Sequence, residues 1–445
     1  EPLLSHDLVA MAAPVVKWAV QPNSADEIGP VMRKAFQLAT QAPAGPVFVA
    51  LPVDVMEQQT AIPATRMNPI STAAVAPQDI ASAAELILSS TQPAIFVGDE
   101  PIREGAFDEI VRLAETIGAP VYHEGLHAQM SFPNGHRSYA GRIPFEARAT
   151  ARLLADNDLV ILLGGSFFED VWFDGCPAIP EGVEVLQINA DGGRIGRHFP
   201  VTRGLIGHAA GTLRALNDTL ANAGADYADA VAQRTRALDE RQATAAAGQS
   251  QALEKLKDAQ PMSPARALAE IASARPEHCI VVDESITTSL EVGSRLDYQR
   301  PGDYYGARGG GIGQGIAGAL GVQIAHPDRP VLAISGDGSA MYSIQAFWSA
   351  AHHQLPVVFV ILSNREYRVL KHNLDIYRQR FDVASNKPYP HMDLTSPELD
   401  FAAMASGMGV RGELLSQPEA IAPALEAAFA SGEPRVLEIV ISGRP

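Results

Sequence analysis

Asp337 stands between two glycines in Gly336-Asp337-Gly338-Ser339, and Asn364 follows it by 27 residues. A carboxylate and a side-chain amide oxygen, joined by one backbone carbonyl, suit Mg²⁺, which takes few protein oxygens and completes its shell with phosphate oxygens and water. The glycines allow a sharp turn and a close backbone approach. A helix starting near Ser339 would add unpaired N–H groups and a positive dipole end. These residue types at this spacing suggest a magnesium diphosphate cradle. To build it, the apolar strand Pro330-Val331-Leu332-Ala333-Ile334 must deliver Asp337. A second strand, Pro356 to Leu362, must deliver Asn364 to the same sheet edge, and its apolar run PVVFVIL suits a strand buried on both faces beside a parallel neighbour. A Gly-Asp-Gly alone describes an ordinary turn; the two strands and the terminal Asn distinguish this one.

Other segments could complete such a site. Asp283-Glu284-Ser285-Ile286-Thr287-Thr288 follows the apolar strand Cys279 to Asp283, so its hydroxyls and amides reach a carboxyl sheet edge, although Thr288 reads equally as a helix cap. Gly309-Gly310-Gly311-Ile312-Gly313 surrounds one bulky aliphatic with bare backbone, which alone would describe a flexible loop or a tight helix contact. It lies 24 residues before Gly336, with room for one helix and one strand between. Arg365, Glu366 and Tyr367 follow Asn364, and Arg365 is strained if the turn requires positive φ. Val369, Leu370 and Asn373 come next on an expected helix, where Asn373 fits either a pocket wall or the surface. His352-His353 ends the helix after the cradle, where a cation complements the dipole, and a structural role is favoured. His123 and His127 are candidates only through their nearness to a strand end.

The run GDGSAMYSIQAFWSAAHHQLPVVFVILSNREY resembles the cofactor motif of thiamine diphosphate enzymes, in particular the benzoylformate decarboxylase and acetolactate synthase-like group, and the resemblance extends along nearly the whole chain. It implies thiamine diphosphate and Mg²⁺ as cofactors. By the resemblance, Asp337, Asn364 and the Glu366 carbonyl ligate the metal, while Gly336, Gly338, Ser339, Tyr367 and Thr287 serve the cofactor. Ile286 replaces a hydroxyl residue common in relatives. Ile312 would hold the cofactor bent, and the Gly310 carbonyl would accept from its 4′-amino group. Val369, Leu370 and Asn373 would border the substrate, with Asn373 in place of an aromatic residue. Where benzoylformate decarboxylase carries a catalytic His, the loop Ser166-Phe167-Phe168-Glu169-Asp170-Val171-Trp172-Phe173 has none, and Val171 takes that position.

The resemblance further implies a decarboxylase or lyase acting on a 2-oxo acid, with an acetolactate synthase-like carboligase as the second enzyme reading. The carboxylate that activates the aminopyrimidine would precede this sequence, so a cofactor-binding subunit that needs a partner chain is the third. A homodimer or homotetramer is expected, because the family forms its active site between subunits.

In 445 residues, 47% hydrophobic and 19% charged, there is enough apolar content for two or three cores. A net charge of −17 without basic clusters lacks the footprint of nucleic-acid binding. Two cysteines, Cys176 and Cys279, exclude a disulfide framework and suit a reducing cytoplasm, and no uninterrupted apolar run is long enough to cross a bilayer. The expected class is α/β, with three doubly wound parallel-sheet domains, the first incomplete. By the resemblance, residues 1–62 are the C-terminal remnant of a pyrimidine-binding domain, since VKW at Val16 and GPVFVALPVDV from Gly45 sit late in that domain of the family, which implies about a hundred residues absent before it or residing on another polypeptide. In this piece Ser24-Ala25-Asp26-Glu27 reads as a capping box, followed by an apolar stripe at Ile28, Val31, Met32, Ala35, Phe36 and Ala39. A Pro/Ala/Thr-rich linker leads to a central α/β domain over 76–222, whose Gly164-Gly165 lacks the dinucleotide fingerprint. A linker helix over 223–260 then leads to a diphosphate-binding domain over 261–445.

Overall fold

The computed structural model describes residues 6–65, 74–169, 172–173 and 175–443. Val171 and most of the Pro/Ala/Thr-rich linker lie outside them. The short apolar runs punctuated by Gly and Pro form three parallel sheets in an α/β arrangement.

The first sheet has two strands, β1 (Trp18–Val20) and β2 (Val47–Val49), with the helix Ala25–Thr40 between them. Neither strand holds a fully buried residue, and of the expected apolar stripe only Ala35 is buried while Phe36 stays 60% exposed. Two strands and one helix cannot close a core around themselves. The capping box is not made as expected. The Ser24 side chain makes no cap bond; the Glu27 amide donates to the Ser24 carbonyl at 3.1 Å, and the Glu27 carboxylate accepts from Asn23 N at 2.8 Å, one residue too far back.

The second sheet comprises β3 (Pro93–Val97), β4 (Val121–His123), β5 (Tyr139–Arg142), β6 (Leu159–Leu163), β7 (Glu184–Asn189) and β8 (Arg203–Ile206). Their spatial order is β5-β4-β3-β6-β7-β8. Every residue of β3 and β6 is buried, as an inner parallel strand covered by helices on both faces requires. The 32-residue helix Ala225–Leu256 is polar around most of its circumference and buries only Arg234 and Leu238. Arginines hold it to the central sheet: Arg234 donates to the carbonyls of Ile117 (2.9 Å) and Thr91 (3.2 Å), and Arg241 donates to the Tyr122 hydroxyl (2.8 Å).

Ser263 then caps the helix Pro264–Ala274, accepting from Arg266 N at 3.2 Å with Pro264 in the first turn. The third sheet contains β9 (Ile280–Glu284), β10 (Tyr304–Gly306), β11 (Val331–Gly336), β12 (Val358–Ser363), β13 (Arg411–Leu415) and β14 (Arg435–Val440), in the order β10-β9-β11-β12-β14-β13. Connections leave β9 and β11 in opposite directions. Open α/β sheets bind ligands in the crevice beyond the carboxyl ends at such a switch point.

Candidate functional site

That crevice receives the Gly336–Ser339 loop from β11 and the Ser285–Thr288 turn from β9, since Ser335 lies opposite Glu284 in the ladder. A Cβ built on Gly336 would find only the Ser285 carbonyl, at 3.9 Å, so the backbone is open to a ligand there. Asp337 begins a helix of four residues, Asp337–Ala340, and a second short helix, Ala346–His352, follows after a turn. The single helix expected from Ser339 is therefore broken, and turn amides rather than a long helix dipole face the crevice.

Asp337 is 4% exposed. Its Oδ1 accepts from Gly338 N at 2.7 Å and its Oδ2 from Arg365 N at 2.6 Å. Burial outweighs those donors and pushes its carboxyl up to about 6. The Arg365 guanidinium turns away to Glu398 at 3.0 Å, and no Lys or Arg among the described residues pairs with Asp337. A buried carboxylate without a cationic side chain suits a metal ion.

β12 runs beside β11 and brings the Asn364–Tyr367 turn against Asp337. Asn364 Oδ1 accepts from Glu366 N at 3.1 Å, and the Glu366 carbonyl accepts from Arg368 N at 2.9 Å. The Glu366 carboxylate bonds Lys371 Nζ, which also reaches Asp393 at 2.5 Å, so it points away from Asp337. Among the described residues no three His, Cys, Asp or Glu side chains cluster as metal ligands. The donors here are a carboxylate, an amide and a carbonyl, a set that leaves the remaining positions to phosphate and water and fits Mg²⁺ bound to a diphosphate. Arg365 adopts φ +60°, the positive φ at which a side chain in this turn is strained. Tyr367 lays its ring over Gly338, where a Cβ would come within 2.9 Å of its Cε1.

Thr287 is half-buried in the turn between β9 and the helix Ser289–Arg295, and Ile286 before it has φ +52°. Gly309, Gly310 and Gly313 adopt φ of +86°, +73° and +96°. A Cβ on Gly309, Gly310 or Gly311 would meet nothing within 4 Å, and Ile312 is 41% exposed, so bare backbone and one aliphatic side chain do face open space. Glu284, which sequence reasoning passed over, anchors this loop. Its Oε1 accepts from Gly313 N (2.7 Å) and Gln314 N (3.2 Å), and its Oε2 accepts from Gly315 N (2.9 Å), capping the helix Gln314–Ala325. The only signal in the sequence is an Asp-Glu pair closing a strand, which does not say which acid turns to the loop. Asp283 serves the other side, accepting from Tyr304 Oη at 3.0 Å.

Val369 and Asn373 share a half-buried face of the helix Arg368–Arg380, and Leu370 beside them is 48% exposed. His123 and His127 are buried and stacked at 5.0 Å, with His127 packed on Tyr304. Burial drives both below the ordinary imidazole range, His127 to about 3. His352 stacks on Trp348 at 4.8 Å.

Two family profiles match the chain: "Thiamine pyrophosphate enzyme, central domain" over residues 80–216, and "Thiamine pyrophosphate enzyme, C-terminal TPP binding domain" over 287–439. The benzoylformate decarboxylase of Pseudomonas aeruginosa is 30% identical over 440 residues, covering 98% of this chain and 78% of that protein. An acetolactate synthase large subunit of Mycobacterium tuberculosis is 28% identical over 98% of this chain and 75% of its own length. The solved thiamine diphosphate-dependent 4-hydroxybenzoylformate decarboxylase of Rhodococcus jostii superposes with a TM-score of 0.81 at 26% identity, covering 99% of this chain and 79% of that one.

Proposed function

This chain belongs to the thiamine diphosphate enzymes that include benzoylformate decarboxylase and acetolactate synthase, and on that premise we propose that it is a Mg²⁺-dependent, non-oxidative decarboxylase of a 2-oxo acid. The observation that carries the reading is the buried Asp337 carboxylate at the switch point of a parallel sheet, which no cationic side chain among the described residues pairs with. Asp337, the Asn364 amide oxygen and the Glu366 carbonyl hold Mg²⁺. The backbone of Gly336, Gly338 and Ser339, with the Thr287 hydroxyl and the Tyr367 ring, holds the diphosphate end of the cofactor. The Gly310 carbonyl would accept from the aminopyrimidine amine, and Ile312 would be the aliphatic side chain that supports the cofactor. When bound, thiamine diphosphate supplies the electron sink for loss of CO₂ from a 2-oxo acid.

The substrate enters against Val369, Leu370 and Asn373, and the Asn373 amide makes this wall more polar than an aromatic side chain would. The exposed Ile312, Tyr342 and Trp348 would be covered by a second copy in a homodimer or homotetramer. A separate chain supplying the activating carboxylate is the alternative partner.

The test supplies thiamine diphosphate and MgCl₂ to the purified protein and offers benzoylformate and pyruvate separately. Release of CO₂ with the matching aldehyde is expected. An acyloin product would assign the chain to carboligation, and cofactor binding without either product would reduce it to a cofactor-binding subunit.

A further inference from the structure

The central sheet has its own switch point, between the carboxyl ends of β3 and β6. It is closed. A Cβ on Gly98 would stand 2.5 Å from Gly165 Cα and 2.9 Å from Glu124 Oε2, so the strand ends and the Glu124 side chain fill the place where a pyrophosphate would enter. Glu124 is held there by Ser166 N at 3.0 Å, and nearby Asp99 accepts from Ala128 N (2.8 Å) and Gln129 N (3.1 Å). Both carboxylates are 1% exposed. A diphosphate would meet negative charge here, and what reaches the two acids instead is Arg308 from the third sheet's loop. Its Nη1 donates to Asp99 Oδ2 at 2.8 Å and to Glu124 Oε1, and its Nη2 lies 3.9 Å from Glu169.

Arg308 immediately precedes Gly309-Gly310-Gly311. Just before it, Gly306 N donates to the Ala128 carbonyl at 2.9 Å, and Tyr305 bridges to Gln129. At the far end, Glu284 grips the amides of Gly313 to Gly315. The glycine run is thus suspended between two buried anchors. Consecutive glycines carry the largest backbone entropy of any residues, so a loop of them presents a carbonyl in one direction only if its ends are fixed. Burial pushes the Glu124 carboxyl up to about 7 against the opposing Arg308 charge, as expected where one guanidinium answers two desolvated acids.

We propose that Arg308 is a positioning residue: its buried contacts with Glu124 and Asp99 use the closed crevice of the central sheet to aim the Gly309–Ile312 segment at the cofactor. The inference rests on the reading that Gly310 and Ile312 face the aminopyrimidine. The central sheet then takes part in cofactor presentation instead of binding a nucleotide.

The test measures thiamine diphosphate affinity at saturating MgCl₂, hydrogen exchange across residues 307–313 and thermal stability in the full chain. Arg308→Met should weaken cofactor binding about tenfold, speed exchange in the segment and lower the melting temperature. Adding Glu124→Gln to Arg308→Met removes one of the two buried acids left without their partner, Asp99 remaining. The melting temperature should recover in part while affinity stays weak and exchange stays fast. The proposal is overturned if the double variant regains affinity together with stability, for Arg308 would then only neutralise charge. It is equally overturned if Arg308→Met binds as wild type while Asp337→Ala has lost binding. Should Asp337→Ala also bind normally, the cofactor-site reading itself fails, and unchanged exchange over 307–313 in Arg308→Met would dispose of the positioning role independently.

Discussion

Asp337 carries its carboxylate in a largely desolvated position, and that predicts how the site responds to pH. Its carboxyl titrates near 6 in the fold against an ordinary value of 3.8. Below pH 3.8 it is protonated in folded and unfolded chains alike; between the two values only the fold keeps the proton, and above 6 both lose it. Its contribution to stability is therefore present at low pH and lost as pH rises through about 6, a loss on the order of 3 kcal/mol in the cofactor-free protein. A cation at Asp337 offsets that loss but must compete with the proton. Mg²⁺ affinity in the presence of thiamine diphosphate should fall as pH drops from about 7.5 to about 5. Asp337→Ala should abolish Mg²⁺-dependent cofactor binding while circular dichroism stays native. Calorimetry showing pH-independent affinity, or a variant that still binds, would remove Asp337 as the ligand. Arg365 offers a separate test of strain. Its φ of +60° disfavours any Cβ, and its ion pair with Glu398 is a partly exposed one of small value. Arg365→Gly should be more stable than Arg365→Ala by about 1 kcal/mol in denaturant titrations, since both lose the ion pair and only glycine relieves the backbone. Equal stabilities would show that the turn is unstrained.

The elements explain why part of the site could be read in the chain and part could not. β11 and β12 were readable because inner parallel strands are continuous apolar runs, and Asp337 and Asn364 sit at their carboxyl ends. The short strands β5, Tyr139–Arg142, and β10, Tyr304–Gly306, passed unrecognised, because sheet pairing rather than local propensity makes strands of them. The break after Ala340 was hidden for a related reason: the run from Ser339 to His353 has helical composition throughout, and only tertiary packing turns the chain between Met341 and Gln345. Glu284 was hidden because its partners lie some 30 residues away, at the amides of Gly313 to Gly315. Those amides make Glu284 the joint between β9 and the glycine loop. Glu284→Ala would leave the buried Gly315 N–H and the part-buried amides of Gly313 and Gln314 at a helix start without their acceptor, which costs about 2 kcal/mol. Chemical denaturation of the cofactor-free chain should show that loss, and hydrogen exchange should rise in residues 309–315. A loss below about 0.5 kcal/mol, the scatter of ordinary surface substitutions, would mean the loop is held by other contacts.

At the scale of the molecule, the question is what covers the apolar surface around the crevice. The helix Gln314–Ala325 turns Ala317, Gly318, Gly321 and Ile324 outward, with Ile324 65% exposed. Beside its start Tyr342 packs on Gly313, and Trp348 is 56% exposed on the neighbouring short helix. Small residues along one helix face let another backbone approach closely, and the flanking aromatics supply the contact area that stable interfaces use. A second copy seated on this face would explain why bulky residues remain in water in the single chain. Ile324→Arg should then convert an assembly of at least twice 47.3 kDa into a 47.3 kDa species in sedimentation equilibrium, with unchanged circular dichroism because the side chain touches little within its own chain. Salt supplies an independent check. Each chain carries a net charge of −17, so like charges oppose association, and screening should strengthen it between about 0.05 and 0.5 M NaCl. An interface built on ion pairs would weaken over the same range. A wild-type chain that sediments as a monomer at all these concentrations, or an Ile324→Arg variant that keeps its assembled mass, would place the subunit contact elsewhere.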